Sequence, residues 1–592
     1  MNKIRYKYIF VFCLALFLVF RSVSEVSAFC GFFVAKADAT LSNSSSRVVI
    51  AREGNRSLFM MANDYQGDVK EFARIVPIPV LPTREQVRIG NPEILDRLDA
   101  YTAPRLVQYV DDTDRLFWQE LKPYLWACLC IIVFACFVFI IIWSVRHQKN
   151  IILILCGLLL LSGIAIAIAL PSLLNQASKA GGGASFGQNS AGSVIVEDRF
   201  TLGEYDIVLL GAGQSDVLID WLTTNDYQVP ESARSMFQDY IDNDMKFFVV
   251  RVNLEAFKKE GYGLLRPIIL DYESPNFMLP IRLGTLNATG DQDLIVHILS
   301  PDKFAEVANY RTTLIPTDTT SNMRKPSGDE LPAFVRGEFS DFYDAMFGKV
   351  YENEGKSVAF LEYAGSLFID ERGLGKCDPC TLPPTELIEL RELLKSEQLE
   401  NFTFVTRLHV RYSEETFPED LIFREISQDD LEENVQNAGK FFWNRSGVVF
   451  QGRYVIRRPE NDDFALAKWR YRNRWENRKL QNLVDLTGWQ PEEIRNKMKG
   501  YRENVDRALR YYRRGKKLAN SNQWEEALIE YDDAIDLDGS NPGIWLDRGL
   551  ALWELDRRAE AIEAVDRAAA LDGSNWEAIS IGNAFRQEFD GN

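Results

Sequence analysis

The chain has 592 residues, of which 46% are hydrophobic and 26% charged, with a formal net charge of -18 and an isoelectric point near 4.9. That length allows several domains. The acidic balance disfavours nucleic acid as a partner of the whole surface, because like charges repel, and eight cysteines are too few for a disulfide scaffold of this size.

Residues 1–28 carry Lys3, Arg5 and Lys7, an apolar run from Tyr8 to Phe20, and small residues at Val26-Ser27-Ala28. This pattern predicts a secretory signal peptide cleaved after Ala28, with an uncleaved signal anchor as the rival. Either places the following residues outside the cytoplasm. Phe29 beside Cys30 argues against lipoprotein processing.

The first exported segment, 29–117, reads as strands over Arg47–Glu53 and Arg56–Met61 around a Gly54-Asn55 turn, with a third over Phe72–Val80. Asn91-Pro92 opens a helix over Glu93–Tyr101. Segment 118–175 then holds two uncharged apolar runs, about 125–143 and 151–170. Each is long enough to cross about 30 Å of hydrocarbon. The loop between them carries Arg146, His147 and Lys149, so it stays cytoplasmic and both flanks face outward. A two-helix transmembrane hairpin is therefore expected, with the bilayer as one partner. The expected location is a multi-pass protein of the cytoplasmic membrane whose soluble domains lie on the extracytoplasmic side.

A Gly/Ser/Ala-rich linker follows at 176–192. The second exported segment, 193–458, reads as strands at Ser193–Phe200, Tyr205–Leu210, Lys246–Asn253, Leu265–Tyr272, Leu279–Leu286, Asp293–Ser300, Thr403–Tyr412 and Val448–Arg457. Helices are expected at Ser215–Thr224, with Ser215 as N-cap, and at Glu231–Asp242. Many strands with few helices indicate an α+β domain, interrupted by the membrane hairpin. Charged connecting helices fill 459–507; within them Lys468 to Lys479 interleaves bases with Trp469, Tyr471 and Trp475. That stretch is either a solvated helix or a contact for anionic headgroups.

The C-terminal part, 508–592, repeats itself: Leu537 and Leu571 stand 34 positions apart in matching contexts. That is the tetratricopeptide period, with aligned repeats Ala508–Asn541 and Pro542–Asn575 and a closing helix Trp576–Phe589. Gly515 and Gly549 fall where the paired helices approach, Ala527, Ala561, Ala534 and Ala568 keep them close, and Gly539 and Gly573 end the second helices. Such all-α repeats offer a concave groove to a protein or peptide segment. The groove candidates by repeat position are Tyr512, Lys516, Leu546, Leu550 and Trp553; packing against the neighbouring domain is the competing reading. Asp536 and Asp538 at the inter-repeat turn are expected to be solvated.

The exported segments resemble a bacterial family catalogued as domain of unknown function 2330. The resemblance rests on Cys30-Gly31-Phe32-Phe33, Asn63 to Asp68, Phe72 to Pro79, Thr102-Ala103-Pro104-Arg105, Cys377-Asp378-Pro379-Cys380, Thr406 to Tyr412, Phe417 to Leu421 and Gly452 to Val455. It implies an exported domain and no activity. Val34 stands where family members carry a second N-terminal cysteine, so a four-cysteine arrangement is reduced to three.

Of the remaining chemistry, Cys377 and Cys380 are the sharpest signal. A local disulfide, a bridge from Cys30 to one of them, and a thiol-disulfide exchange centre all fit the pattern. His409, in an alternating strand, reads as a satisfied structural histidine. Gly183 to Gly187 mimics a nucleophile elbow but sits in the glycine-rich linker, and Gly355-Lys356-Ser357 lacks the first glycine of a phosphate loop. No catalytic constellation, metal set or cofactor is expected. The leading function is a tethered interaction or scaffold module; the alternative is a redox protein using Cys377 and Cys380.

Overall fold

The computed structural model describes residues 32–35, 45–63, 72–111, 195–225, 227, 229–252, 265–287, 290–318, 329–366, 404–438, 448–459, 466–571 and 576–590. The chain divides into two compact units, one of Met1–Tyr109, Asn189–Arg457 and Glu476–Asn592, the other of Val110–Gln188 and Arg458–Trp475. The elements that follow belong to the first, except residues 110–111, 458–459 and 466–475, which fall in the second.

Its opening strands are β1 (Phe32–Ala35), β2 (Ser45–Glu53), β3 (Arg56–Asn63), β4 (Phe72–Ile78) and β5 (Val87–Ile89). Gly54, at φ 58°, makes the turn between β2 and β3. Helix α1 (Pro92–Thr102) starts with the Asn91 side chain accepting the Glu93 N–H and with proline in its first turn. β6 (Arg105–Asp111), β7 (Ile195–Leu202) and β8 (Tyr205–Gly211) follow, then α2 (Ser215–Thr224), α3 (Ala233–Asp242), β9 (Lys246–Val252), β10 (Leu265–Glu273), β11 (Met278–Leu279), β12 (Gln292–Ser300), β13 (Phe304–Val307) and β14 (Arg311–Leu314). Next come α4 (Phe339–Asn353), β15 (Val358–Ser366), β16 (Phe404–Tyr412), β17 (Leu421–Ile426), α5 (Gln428–Asn437), β18 (Val448–Gln451) and β19 (Arg453–Pro459). The helical region is α6 (Leu466–Thr487), α7 (Pro491–Ala519), α8 (Trp524–Asp538), α9 (Pro542–Glu554), α10 (Arg558–Leu571) and α11 (Trp576–Asp590).

Two sheets organise the body. The smaller runs β1-β4-β9-β8-β7, and the larger runs β14-β15-β16-β12-β2-β3-β10-β5 with β18 added to β15. Strands from both expected exported segments interleave: β2 lies parallel to β12, with Val49 opposite His297, and β4 pairs antiparallel with β9. The alternation of each strand then sorts side chains into layers. Val48, Ile50, Phe59 and Met61 meet Ile207, Phe248 and Val250 of the small sheet in one core. Ile75, Leu210, Phe247 and Val249 back onto α2 and α3, while Val49, Ala51, Leu58 and Met60 back onto Ile94, Leu95 and Leu98 of α1.

The expected transmembrane hairpin is corrected. Among the described residues no helix is long and apolar enough to cross a membrane. The longest, α7, spans 29 residues but carries charged side chains along its whole length, from Glu492 and Glu493 to Lys516 and Lys517, which lipid would not accommodate. The runs 125–143 and 151–170 lie outside the described residues. The described fold is thus a mixed α/β body with a C-terminal helical region, with no membrane-crossing helix among the described residues. The expected multi-pass placement in the cytoplasmic membrane is corrected with it, and the bilayer as a partner is not supported. The signal peptide 1–28 and the linker 176–192 also lie outside the described residues.

Smaller differences have local causes. Leu279–Leu286 is a two-residue strand followed by a 3-10 turn over Arg282–Asn287, because the Asp420 carboxylate accepts the Ile281 and Arg282 N–H groups and bends the chain there. Val448–Arg457 breaks at Gly452 into β18 and β19; a Cβ on Gly452 would stand 3.0 Å from Ile315 and 3.1 Å from Pro104. Ser215 is the first helical residue of α2 rather than its cap; its N–H is donated to Gln238 Oε1 at 2.9 Å.

Candidate functional site

The alternation of β16 places Arg407, His409 and Arg411 on one face of the large sheet, directly beside Asp293 and His297 of β12. On β15, Phe360 pairs with His409, so alternation sets Glu362 in the same row, beside a register shift between Leu361 and Tyr363. Glu362 is fully buried. Its Oε2 accepts from Arg407 Nε at 2.6 Å, and its Oε1 meets His409 Nδ1 at 2.7 Å and the Tyr343 hydroxyl of α4. At the other ring nitrogen, His409 Nε2 lies 3.1 Å from Asp293 Oδ1. Asp293 in turn holds Arg411 through two bonds, at 2.7 and 2.8 Å. Phe347 stacks on the His409 ring at 3.8 Å, and Arg411 sits over the Phe347 ring at 4.8 Å. At the opposite end Arg407 pairs with Asp99 of α1.

These contacts set the charges. Burial works against the His409 cation, but Glu362 and Asp293 outweigh it and hold its pKa up at about 9. Burial also works against the Glu362 anion, and His409 and Arg407 overcome that, drawing its pKa to about 2. Asp293 is likewise held well below the carboxylate range against its burial, chiefly by the hydrogen bonds from His409 and Arg411. His297, fully buried and beside Arg407, is driven the other way to about 3 and is neutral; its Nε2 lies 3.0 Å from Thr102 Oγ1. Three cations therefore alternate with three carboxylates. Both His409 nitrogens are engaged, so this row acts as an ion lock joining α1, α4 and three strands. The strand was legible, and His409 is satisfied as expected; its partners were not. Basic residues at every second position of β16 were the available signal.

The repeat region places the groove candidates unevenly. Tyr512 donates to Asp547 Oδ2 at 2.8 Å, and Lys516 lies 3.3 Å from the same oxygen while remaining half exposed. Leu546 is buried and Leu550 half-buried against the same apolar cluster. Trp553 stacks on Phe585 of α11 at 3.7 Å, with the Arg558 guanidinium 3.9 Å from its ring centre. Lys516, Tyr512 and Leu550 thus keep accessible surface, whereas Leu546 and Trp553 serve the packing between helices. Asp547, which the spacing alone did not single out, ties the first helices of the two repeats together. Asp538 is buried and accepts from Ser540, contrary to its expected solvation, whereas Asp536 is exposed. The cysteines Cys30, Cys377 and Cys380 lie outside the described residues. No group of His, Cys, Asp and Glu able to hold a metal occurs among the described residues.

Comparison with known proteins gives three results. A family profile described as "Uncharacterized protein conserved in bacteria (DUF2330)" matches residues 24–424. An uncharacterized protein of Methanocaldococcus jannaschii is 34% identical over 70 residues, which is 12% of this chain and 81% of that protein. Among solved structures, the second TPR domain of the human RPAP3 protein, in complex with an HSP70 peptide, is 20% identical, covering 20% of this chain and 91% of that one at a TM-score of 0.14.

Proposed function

The chain belongs to the bacterial family DUF2330, and from that premise we propose that it is a protein-interaction module whose C-terminal helix pairs receive a protein or peptide segment. The observation that supports this reading is the 34-residue spacing carried into paired helices: α7 with α8, and α9 with α10. Tetratricopeptide-type pairs of this kind leave the first helices lining a concave groove. In that groove Lys516 offers a half-exposed cation steadied by Asp547 and Tyr512, and Leu550 an apolar contact. The segment received would combine a carboxylate with an apolar side chain. The α+β body, cross-braced by the Glu362 lock, is the rigid carrier.

The test compares full-length protein with a Lys516→Glu/Leu550→Asp double variant, after circular dichroism has shown equal helix content. Proteins retained by the wild type and lost by the variant are the expected outcome. Identical retained sets would remove the groove from the account.

A further inference from the structure

We propose a second docking surface, separate from the groove: the basic leading face of α7, which takes an acidic amphipathic helix of a partner protein. Between Arg507 and Lys517 the chain places six cations and no carboxylate, in a protein whose net charge is -18. Arg507, Arg510, Tyr511, Arg514 and Lys517 recur at helical spacing on one face and, with Arg513, line a single surface hollow. The cations among them are exposed. Arg514 is paired with Glu530 at 2.8 Å; among the described residues no carboxylate is paired with Arg507, Arg510 or Lys517.

The repeat itself states what such a face is built to meet. Thirty-four positions on, the same face of α9 reads Asn541, Ile544, Trp545, Arg548 and Ala551, and it is covered by a helix. Ile544 and Ala551 are fully buried in one cluster with Ala527, Tyr531 and Ala534 of α8. Arg548 reaches Asp532 of α8 at 2.7 Å, and Trp545 Nε1 donates to Gly539 O at 2.8 Å. That covering helix is acidic, with Glu525, Glu526, Glu530, Asp532, Asp533 and Asp536. In the first repeat the buried pair Ile544 and Ala551 is replaced by Arg510 and Lys517, while the aromatic and the arginine persist as Tyr511 and Arg514. A polar end cap needs only mixed polarity for solubility. A face of one sign around a retained aromatic anchor instead matches a helix of opposite charge. It has no leucine or phenylalanine to insert into lipid.

The probe is a synthetic peptide of the α8 sequence, Trp524 to Asp538, labelled for anisotropy and titrated with full-length protein at low salt. A scrambled peptide of equal charge, duplex DNA and vesicles containing phosphatidylserine are the competitors. We expect the helix peptide to bind, to weaken with salt, and to lose about tenfold in affinity to the triple variant Arg507→Glu/Arg510→Glu/Lys517→Glu. Lys516→Ala, in the groove, leaves it unchanged. Equal binding by wild type and triple variant overturns the proposal, as does equal competition by the scrambled peptide, DNA or vesicles. If Lys516→Ala alone abolishes binding, the peptide sits in the groove and the second surface is refuted, while the groove reading survives.

Discussion

His409 Nδ1 stands 2.7 Å from Glu362 Oε1, and both residues are buried. A charged pair at such depth is costly to assemble and more costly to break, since each partner has given up water for the other. The two face each other because Phe360 of β15 pairs with His409, and alternation sets Glu362, two residues on, on the same face.

Replacing Glu362 by glutamine leaves Arg407 and His409 without their shared counter-charge. The expected cost is about 3–5 kcal/mol, concentrated in β15 and β16. Hydrogen exchange of those strands measures it; protection within tenfold of wild type would show that the row is not structural.

The same pair makes stability depend on pH in a defined sense. The folded pKa of His409 is raised to about 9 from 6.5, so its contribution is complete below 6.5 and is lost as pH rises through 9. Glu362 is lowered to about 2 from 4.5, so its contribution is complete above 4.5 and is lost as pH falls toward 2. Asp293, Arg407, Arg411, Asp344 and Tyr343 also face the pair. Thermal unfolding of wild type is expected to worsen between pH 6 and pH 9.5 by up to about 3 kcal/mol more than that of His409→Gln. Parallel pH profiles for the two proteins would contradict this.

Gly549 and Gly500 separate close packing from helix propensity. A Cβ at Gly549 would stand 2.6 Å from Val565 Cγ2 and 3.1 Å from the Ala561 carbonyl oxygen, whereas at Gly500 nothing lies within 4 Å. Gly500→Ala should stabilise α7 by up to about 1 kcal/mol. Gly549→Ala should destabilise α9 and α10 by about 1–3 kcal/mol. Urea denaturation followed by far-ultraviolet circular dichroism reads both; equal signs would disprove the close approach.

Trp553 is placed as a packing residue by its stack on Phe585. Trp553→Ala is expected to cost about 3–5 kcal/mol and to expose the amides of α11. Unchanged exchange in α11 with lost partner capture would return Trp553 to the groove.

Much of the architecture was written in local pattern. Alternation marked Arg47–Glu53 and Thr403–Tyr412 as strands within two residues of their observed limits. The recurrence at 34 positions marked the helix pairs, and Gly515 meets the Tyr531 ring where close approach was expected. Elements between 301 and 366 passed unread: β15 is continuously buried, so it shows no alternation, and α4 carries aromatics without a clear cap.

By itself the sequence determined the periodicities: which residues share a strand face, where two helices must come close, and where a turn demands glycine. These follow from backbone geometry and reach no further than one element. Tertiary structure alone decided that β2 lies beside β12, that the β15–β16 register brings Glu362 to Arg407 and His409, and that Asp538 is buried while Lys516 stays half exposed. Those outcomes depend on strand register and helix docking between segments far apart in the chain, and charge partners follow from register rather than from spacing.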